Sequence, residues 1–432
     1  MSNSNSEVKR KIAIVGAGIM GLSAAFECQK RGFLVDIYEA NSEPGGMAAH
    51  FLLGEISIEK FYHFICTSDI HTFKLMEELG IQDQMRWSST KMGYYIDGKL
   101  YNWGDPISLL RFPLMSICEK LKYGWLMYRV TKQLSFEKIE HLDAISWLKS
   151  TLGDRIYNLL WRRLFELKFY EFTKSISASW IATRIKRIGN SRENIFKEKL
   201  GYINGGSETL VKTLVDVIIK NGGELHLSTQ VTNIEKFGSR LGVKLGSKVE
   251  YYDDVIMTIP LPLVKDIVPS LSVIEKSKLV AIKNIGVVCV VIELKKSVTE
   301  KFWLNINDPE FDIPGVIEFS NLRNTKNTVV YIPYYMPTSN SMFSDNEEIF
   351  IEKCKLYLKK INPDINDEDF LNHHVAKLKY SQPICEPGFL EKLPPVKTSI
   401  EKLQIADTSY YYPEDRGFSE SIKLGKQMAN NI

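Results

Sequence analysis

The sequence has no long apolar run. Its longest, residues 255–264 and 286–294, are too short to cross a bilayer, and Pro260 and Pro262 interrupt the first. Net charge is also scarce: 55 Lys+Arg against 52 Asp+Glu leave +3, which argues against a polyanion as the main partner and so against nucleic acid. The six cysteines (Cys28, Cys66, Cys118, Cys289, Cys354, Cys385) show no CxxC or metal-type spacing, and several lie in apolar stretches, as suits small hydrophobes in a reducing compartment. No internal repeat or low-complexity tract is present. The first residues, MSNSNSEVKRK, are polar and do not read as a secretory signal, so the expectation is a cytoplasmic protein. What remains is an ordinary globular composition, 44% hydrophobic and 25% charged over 432 residues, enough for two or three domains sharing large cores.

The informative region is at the start. Residues 11–15, Lys-Ile-Ala-Ile-Val, read as a buried parallel strand, followed at once by Gly16-Ala-Gly18-Ile-Met20-Gly21. Helical character continues through Ala24, Ala25 and Cys28 to Gly32, and residues 33–38 form a second strand ending in Glu39. In such a βαβ unit Gly16 permits a tight turn, Gly18 lets backbone approach a pyrophosphate, and Gly21 lets helix and strand pack closely. Glu39 is placed to accept from ribose hydroxyls.

After Glu39 and Ala40 comes a turn-rich segment ending in Pro44-Gly45-Gly46-Met47, where an NAD domain would proceed into its next crossover helix. The glycine triplet, the acidic strand end and this glycine pair together resemble the extended N-terminal signature of the FAD-dependent amine oxidase superfamily. That superfamily also holds protoporphyrinogen oxidases, phytoene desaturases and UDP-galactopyranose mutases. Three further segments resemble it. Residues 201–210 resemble its Gly-Gly…Leu segment, leading to a helix over 211–220 and to Val231, matching a valine whose backbone meets the adenine. Residues 253–260 resemble the strand that closes the nucleotide domain. Residues 403–407 end in Asp407, where the family has an acid near the ribityl and pyrophosphate, and residues 413–425 read as a loop opening a helix. The resemblance implies that Gly417, Phe418 and Ser419 present amide N–H groups to the pyrimidine oxygen of the flavin.

Elsewhere residues 286–294 and 311–337 have strand character, whereas 100–187 are helical and rich in Trp, Tyr, Arg and Lys. Residues 107–134 mix Leu109, Leu110, Phe112, Leu114, Met115, Trp125, Leu126 and Met127 with Arg111, Lys120, Lys122, Arg129 and Lys132. They read either as a helical cap with a solvated basic face or as an interfacial segment in peripheral membrane contact. Candidate catalytic residues are His63, in a stretch loosely like one that passes the flavin face in the mutases; Arg163, which with Arg162 could hold an anionic group; and Tyr334, with Tyr331 and Tyr335 as channel lining. His63 reads equally as a hydrogen-bonded histidine in an aromatic core. The pair His373-His374 lacks a third ligand at metal spacing and reads as structural, so no metal is expected. Two departures from the family stand out. The strand before Phe302-Trp303 carries no lysine before Lys295, which casts doubt on water-assisted amine oxidation, and Met47 replaces the usual arginine.

The resulting expectation is an α/β fold: a two-part Rossmann-like FAD-binding domain (1–60, 200–262, 396–432), a mixed-sheet substrate domain (61–100, 263–395) and a helical insertion (101–199). It implies non-covalent FAD, with Gly16, Gly18, Met20, Gly21, Glu39, Ala40, Gly45, Gly46, Met47, Val231, Asp407, Gly417, Phe418 and Ser419 around it. The reaction expected is oxidation or desaturation of a small-molecule substrate, anionic or lipid-like. The rivals are a non-redox sugar-nucleotide isomerase and a catalytically silent flavin binder.

Overall fold

The computed structural model describes residues 9–194 and 196–432; the first eight residues of the polar N-terminal segment lie outside these. Five parallel strands drawn from three regions of the chain form one sheet, in the order Glu224–His226, Leu34–Tyr38, Lys11–Val15, Asp254–Met257, Leu403–Ile405. The Lys11–Val15 strand is central and buried from Ile12 onward: Ile12 and Ile14 pack under helices on one face, while Ala13 and Val15 pack on the other against Ile234, Val243 and Tyr252 of an antiparallel β unit. The Ile19–Lys30 helix crosses from it to Leu34–Tyr38.

The C-terminal Phe418–Asn430 helix packs on Ile19–Lys30, and glycine makes that possible. A Cβ on Gly425 would lie 2.3 Å from the Met20 carbonyl oxygen. A three-stranded antiparallel unit (Val231–Phe237, Arg240–Leu245, Lys248–Tyr252) fills the crossover before Asp254–Met257.

A second, seven-stranded sheet runs Phe370–Pro383, Asn284–Leu294, Thr328–Met336, Gly315–Glu318, Trp303–Ile306, Met92–Ile96, Lys99–Trp103, antiparallel except between Trp303–Ile306 and Met92–Ile96. Asn284–Leu294 is buried on both faces after its first residue. Val287, Cys289 and Val291 join the main core, while Val288, Val290 and Ile292 join a separate cluster beneath the Glu347–Ile361 helix. The sheet therefore divides the protein into two layers.

Residues 106–190 fold as helices, as their composition suggested, but 100–103 do not. Asp97 (φ 52°) and Gly98 (φ 68°) make a two-residue turn that sends Lys99–Trp103 back along Met92–Ile96. Residues 107–134 are two helices, Pro106–Arg111 and Ile117–Lys132, each capped by its own side chain, Asp105 and Ser116.

Two helix glycines give opposite expectations. Gly425→Ala should cost about 1–3 kcal/mol through overpacking against Met20. Gly124→Ala, where a Cβ meets nothing within 4 Å, should stabilise by about 0.5–1 kcal/mol. Thermal melts of the two variants check both signs.

Candidate functional site

The turn after Lys11–Val15 is set by steric exclusion. Gly16 has φ +103°, and a Cβ on Gly21 would lie 1.9 Å from the Gly16 carbonyl oxygen, so the first helix can sit on the turn only without a side chain there. Gly18 differs: its backbone is extended (φ −70°), and the one atom a Cβ would approach within 4 Å is the Gly45 oxygen, at 4.0 Å. Gly18 is the N-cap of Ile19–Lys30 and no side chain caps it. The helix therefore presents N–H groups and the positive end of its dipole toward an open cradle. Gly45 (φ +112°) and Gly46 (φ +58°) close one side, the Gly45 amide donating to Ala17 O at 2.8 Å.

Glu39 lies at the lip of this cradle, 7% exposed, accepting from the Ala17 amide (2.9 Å) and from Asn41 N (3.0 Å) and Nδ2 (2.7 Å). Ala40 beside it is exposed, and the Glu39 carbonyl accepts from Thr229 N (2.8 Å), which brings the segment leading to Val231 alongside. Met20 turns into the core under the helix. Glu59 completes the second glycine segment: its Oε1 accepts from Ser207 N at 2.7 Å and so caps the Ser207–Lys220 helix.

The C-terminal segment arrives at the other end. Asp407 is buried and spends its carboxylate on Leu261 N and Ser409 N, both at 2.8 Å, fastening the loop after Asp254–Met257 to the last strand; burial raises its pKa. Gly417 is the uncapped N-cap of Phe418–Asn430, and Ser419 Oγ accepts from His71 N at 3.3 Å. The Ala178–Asn190 helix braces this loop: Arg184 pairs with Asp415 (3.3 Å), Arg187 pairs with Asp69 (2.8 Å), and Thr183 Oγ1 donates to Pro413 O. Sequence reasoning passed over Arg184 and Arg187; their i, i+3 spacing on an amphipathic helix was the available signal.

His63 stacks on Phe418 with centroids 5.0 Å apart and planes 23° apart. Burial, assisted by the nearby Arg416 and Arg187 and opposed by a hydrogen bond to Phe61 backbone, lowers its pKa to about 4. The ring is neutral at pH 7, and its buried Nδ1 has no hydrogen-bond partner. Beside it Tyr62 meets Trp303 (5.4 Å) and Tyr331 (6.0 Å) edge-on, and its hydroxyl lies 3.2 Å from that of Tyr335. Lys168, 7% exposed, places Nζ 4.8 Å from the Tyr335 ring centre and 5.7 Å from those of Phe169 and Trp180. No carboxylate pairs with it among the described residues, and burial, with Arg184 and Arg416 nearby, pushes its pKa well down. These side chains form a packed aromatic cluster around Lys168, termed the chamber below, which at His63 meets the N-terminal end of the C-terminal helix.

Several sequence expectations need correction. Arg163 does not face the chamber: its Nη2 donates to the Phe311 and Pro309 carbonyls, and Arg162 pairs with Glu166 at 2.7 Å on the surface. Tyr334 points to the other side of its strand, its hydroxyl 3.6 Å from Cys354 Sγ and its ring against Phe350; Tyr331 and Tyr335 line the chamber instead. The lysine missing from Asn284–Leu294 has no substitute in Lys301, which donates to Asn102; the chamber's lysine is Lys168, from the helical insertion. At Met47, where the arginine is absent, Arg416 Nη1 approaches Sδ to 4.0 Å from the opposite end of the chain. His374 stacks on Phe51 at 4.0 Å. Asp36, Glu224 and His226 bring potential ligand atoms within 4.8 Å of one another, but Asp36 already holds Lys11 and Tyr252.

A glycine cradle at a helix N-terminus, an acid at the second strand end and a second uncapped helix facing an aromatic chamber define a nucleotide-cofactor flavoprotein of α/β fold. The chain belongs to the flavin-containing amine oxidoreductase family, whose model matches residues 19–409; its members are FAD-dependent oxidoreductases. It is 23% identical to a 15-cis-phytoene desaturase of Synechococcus elongatus over 50% of this chain, and that match spans about half (49%) of the relative's length. A 15-cis-phytoene desaturase of Glycine max is 23% identical over 87% of this chain and 72% of the relative. Solved structures of a putrescine oxidase bound to putrescine (16% identity, TM-score 0.74, covering 98% of this chain and 99% of that one) and of a reduced UDP-galactopyranose mutase (14%, 0.74, 98% and 95%) share the fold.

The cradle gives a paired test. Gly18→Val has a compatible backbone, and its Cβ would meet only the Gly45 oxygen, at 4.0 Å, so it should fold with a near-normal melting temperature yet purify without flavin. Gly21→Val, at 1.9 Å from backbone, should lose stability outright. Stoichiometric FAD in Gly18→Val would refute the cradle.

Proposed function

We propose that the protein is a FAD-dependent oxidoreductase or desaturase that removes hydride from a C–H or C–N centre of a small molecule held in the aromatic chamber. In this reading residues 1–60, 200–262 and 396–432 make a two-part Rossmann-like cofactor domain, 61–100 and 263–395 the substrate side, and 101–199 an insertion roofing the chamber. Bound FAD would supply the hydride acceptor, to be reoxidised by oxygen or another acceptor.

The chain's own groups have separable tasks. The Ile19–Lys30 N-terminus with Gly16, Gly18, Gly45 and Gly46 holds the pyrophosphate, and Glu39 the adenosine ribose, with Val231 beside the adenine. Asp407 positions the loop that flanks the ribityl chain, and Met47 with Arg416 lines the same wall. Amides of Gly417, Phe418 and Ser419 offer partial positive charge where the ring gains electrons. Tyr62, Tyr331, Tyr335 and Trp303 exclude water and orient an apolar or planar substrate. Lys168 and neutral His63 are the titratable groups able to take or hold a proton there. The observation that carries the reading is the meeting of the chamber with the uncapped C-terminal helix at the His63–Phe418 stack. The isomerase alternative calls for a diphosphate clamp, and Arg162 and Arg163 are engaged elsewhere.

Under anaerobic conditions a substrate from a metabolite-pool screen should bleach the oxidised flavin with net electron transfer. Activity appearing only after dithionite reduction, with no net transfer, would replace this reading by the isomerase. The flavin should leave completely on acid precipitation, since the C-terminal motif, residues 413–425, carries no Cys or His to present to the flavin methyl group.

His63→Ala should leave FAD occupancy intact and shift the flavin spectrum, potential or turnover. A purely structural His63 predicts instead an unaltered spectrum and potential. The stability arm has a defined sign: a folded pKa of about 4 against an ordinary 6.5 means the unfolded chain binds the extra proton, so stability is present above pH 6.5 and lost as pH falls toward 4. The variant should lose that part of the acid dependence.

A further inference from the structure

The helical insertion carries an apolar face that nothing among the described residues covers. On Ile117–Lys132, Ile117 (75% exposed), Leu121 (67%), Trp125 (55%) and Tyr128 (49%) recur at spacings of four, four and three, and so share one stripe roughly 80° wide. Leu126 and Val130 on the opposite side are buried, so a different face meets the core. Leu110 (66%) of Pro106–Arg111 extends the patch. Sequence alone left a solvated basic face as one reading of this segment; beside its exposed cations the outward side also carries this apolar stripe, the kind of surface that marks a binding site.

The charges around it are of one sign. Between residues 106 and 132 there are five basic residues and one acid, Glu119, and that acid is occupied by the Ser116 cap and Arg155. Lys120 ties the two helices through the Leu110 carbonyl. Arg111, Lys122, Arg129 and Lys132 pair with no carboxylate among the described residues. Trp125 and Tyr128 stack at 5.6 Å, side chains with an apolar body and a polar tip suited to a lipid–water boundary.

We propose that this face docks on an anionic lipid bilayer, the Ile117–Lys132 helix lying in the interfacial plane with its stripe among the acyl chains and its cations on the headgroups. A second copy of the chain is the poorer occupant, because a two-fold contact through the stripe would set its cations against each other. The docked helix packs on Ala178–Asn190, which carries Trp180 and Arg184, so the chamber would lie one helix layer from the membrane. The inference stands on the surface and not on the reaction assigned above.

The test is flotation of the full-length, FAD-loaded protein with vesicles of phosphatidylcholine alone or with added phosphatidylglycerol, at low and high salt. The wild type should float with the anionic vesicles and be released by salt. Leu121→Glu with Trp125→Glu, both at exposed positions, should lower the bound fraction by about tenfold while melting temperature and flavin spectrum stay unchanged. Lys122→Gln with Arg129→Gln should weaken binding and flatten its salt dependence. Absence of wild-type binding, equal binding to neutral vesicles, or equal binding of the double glutamate variant would overturn the proposal. So would a wild-type dimer that the glutamate variant converts to monomer without any vesicle binding.

Discussion

The arrangement depends on one steric contact, the seating of the first helix on the Gly16 turn. With 1.9 Å between a notional Cβ of Gly21 and the Gly16 oxygen, the helix axis is fixed by backbone touching backbone, and no rotamer change can relieve a larger residue. On its other side the same helix receives Gly425 at 2.3 Å from Met20 O, so the C-terminal helix is located by the same kind of contact. Two helix N-termini, one from each end of the chain, are thereby fixed relative to each other. One addresses the glycine cradle and the other the aromatic chamber. Asp407 adds the remaining tie, its carboxylate bonded to backbone from both sides of the cofactor region.

Around the second helix end the electrostatics are arranged by bracing. Arg187 and Arg184 reach from one helix to Asp69 and Asp415, and each pairing neutralises a carboxylate that would otherwise lie close to the uncapped N-terminus and compensate its positive end. Arg416 turns its guanidinium to Ser381 and Met47. What is left facing the chamber is a neutral histidine and a buried lysine that no carboxylate pairs with among the described residues, Asp415 acting on it only at longer range. Burying a cation without a partner is costly unless a ligand supplies the missing interaction or the group gives up its proton. Either outcome makes Lys168 sensitive to what enters the chamber.

The cofactor half was legible in the sequence because its requirements are backbone requirements. Gly16, Gly45 and Gly46 need positive φ, Gly21 needs the absence of Cβ, and such demands leave glycines at fixed intervals that can be read without coordinates. The chamber was less legible because its requirements concern side-chain direction. Tyr334 and Tyr335 are neighbours in sequence, yet they lie on opposite faces of a strand, and the register that chooses between them is set by pairing with Asn284–Leu294. Arg163 sits in a helix with the composition of an anion site and is consumed by two distant carbonyls. Lys168 is one of many cations in a helical stretch, and nothing in its spacing singles it out. The Asp97-Gly98 turn was readable and would have placed 99–103 in the sheet.

The division between backbone and side chains also bears on specificity. Nearly all the contacts expected around the cofactor come from main-chain N–H groups at helix ends, from glycines and from two acids, none of which projects into the chamber. The chamber walls come from the two-faced central sheet and from the Arg162–Phe169 and Ala178–Asn190 helices of the insertion. Under the proposed function, exchanging Tyr335, Trp303 or Lys168 would alter what fits, whereas the turn that seats the first helix rests on Gly16 and Gly21. In that reading, a fold built this way would hold the electron acceptor by rigid backbone geometry and leave substrate choice to a handful of side chains. A putrescine oxidase and a UDP-galactopyranose mutase share this fold, so fold alone does not select the reaction, and under the proposed function the residues to test for it are Tyr62, His63, Lys168 and Tyr335.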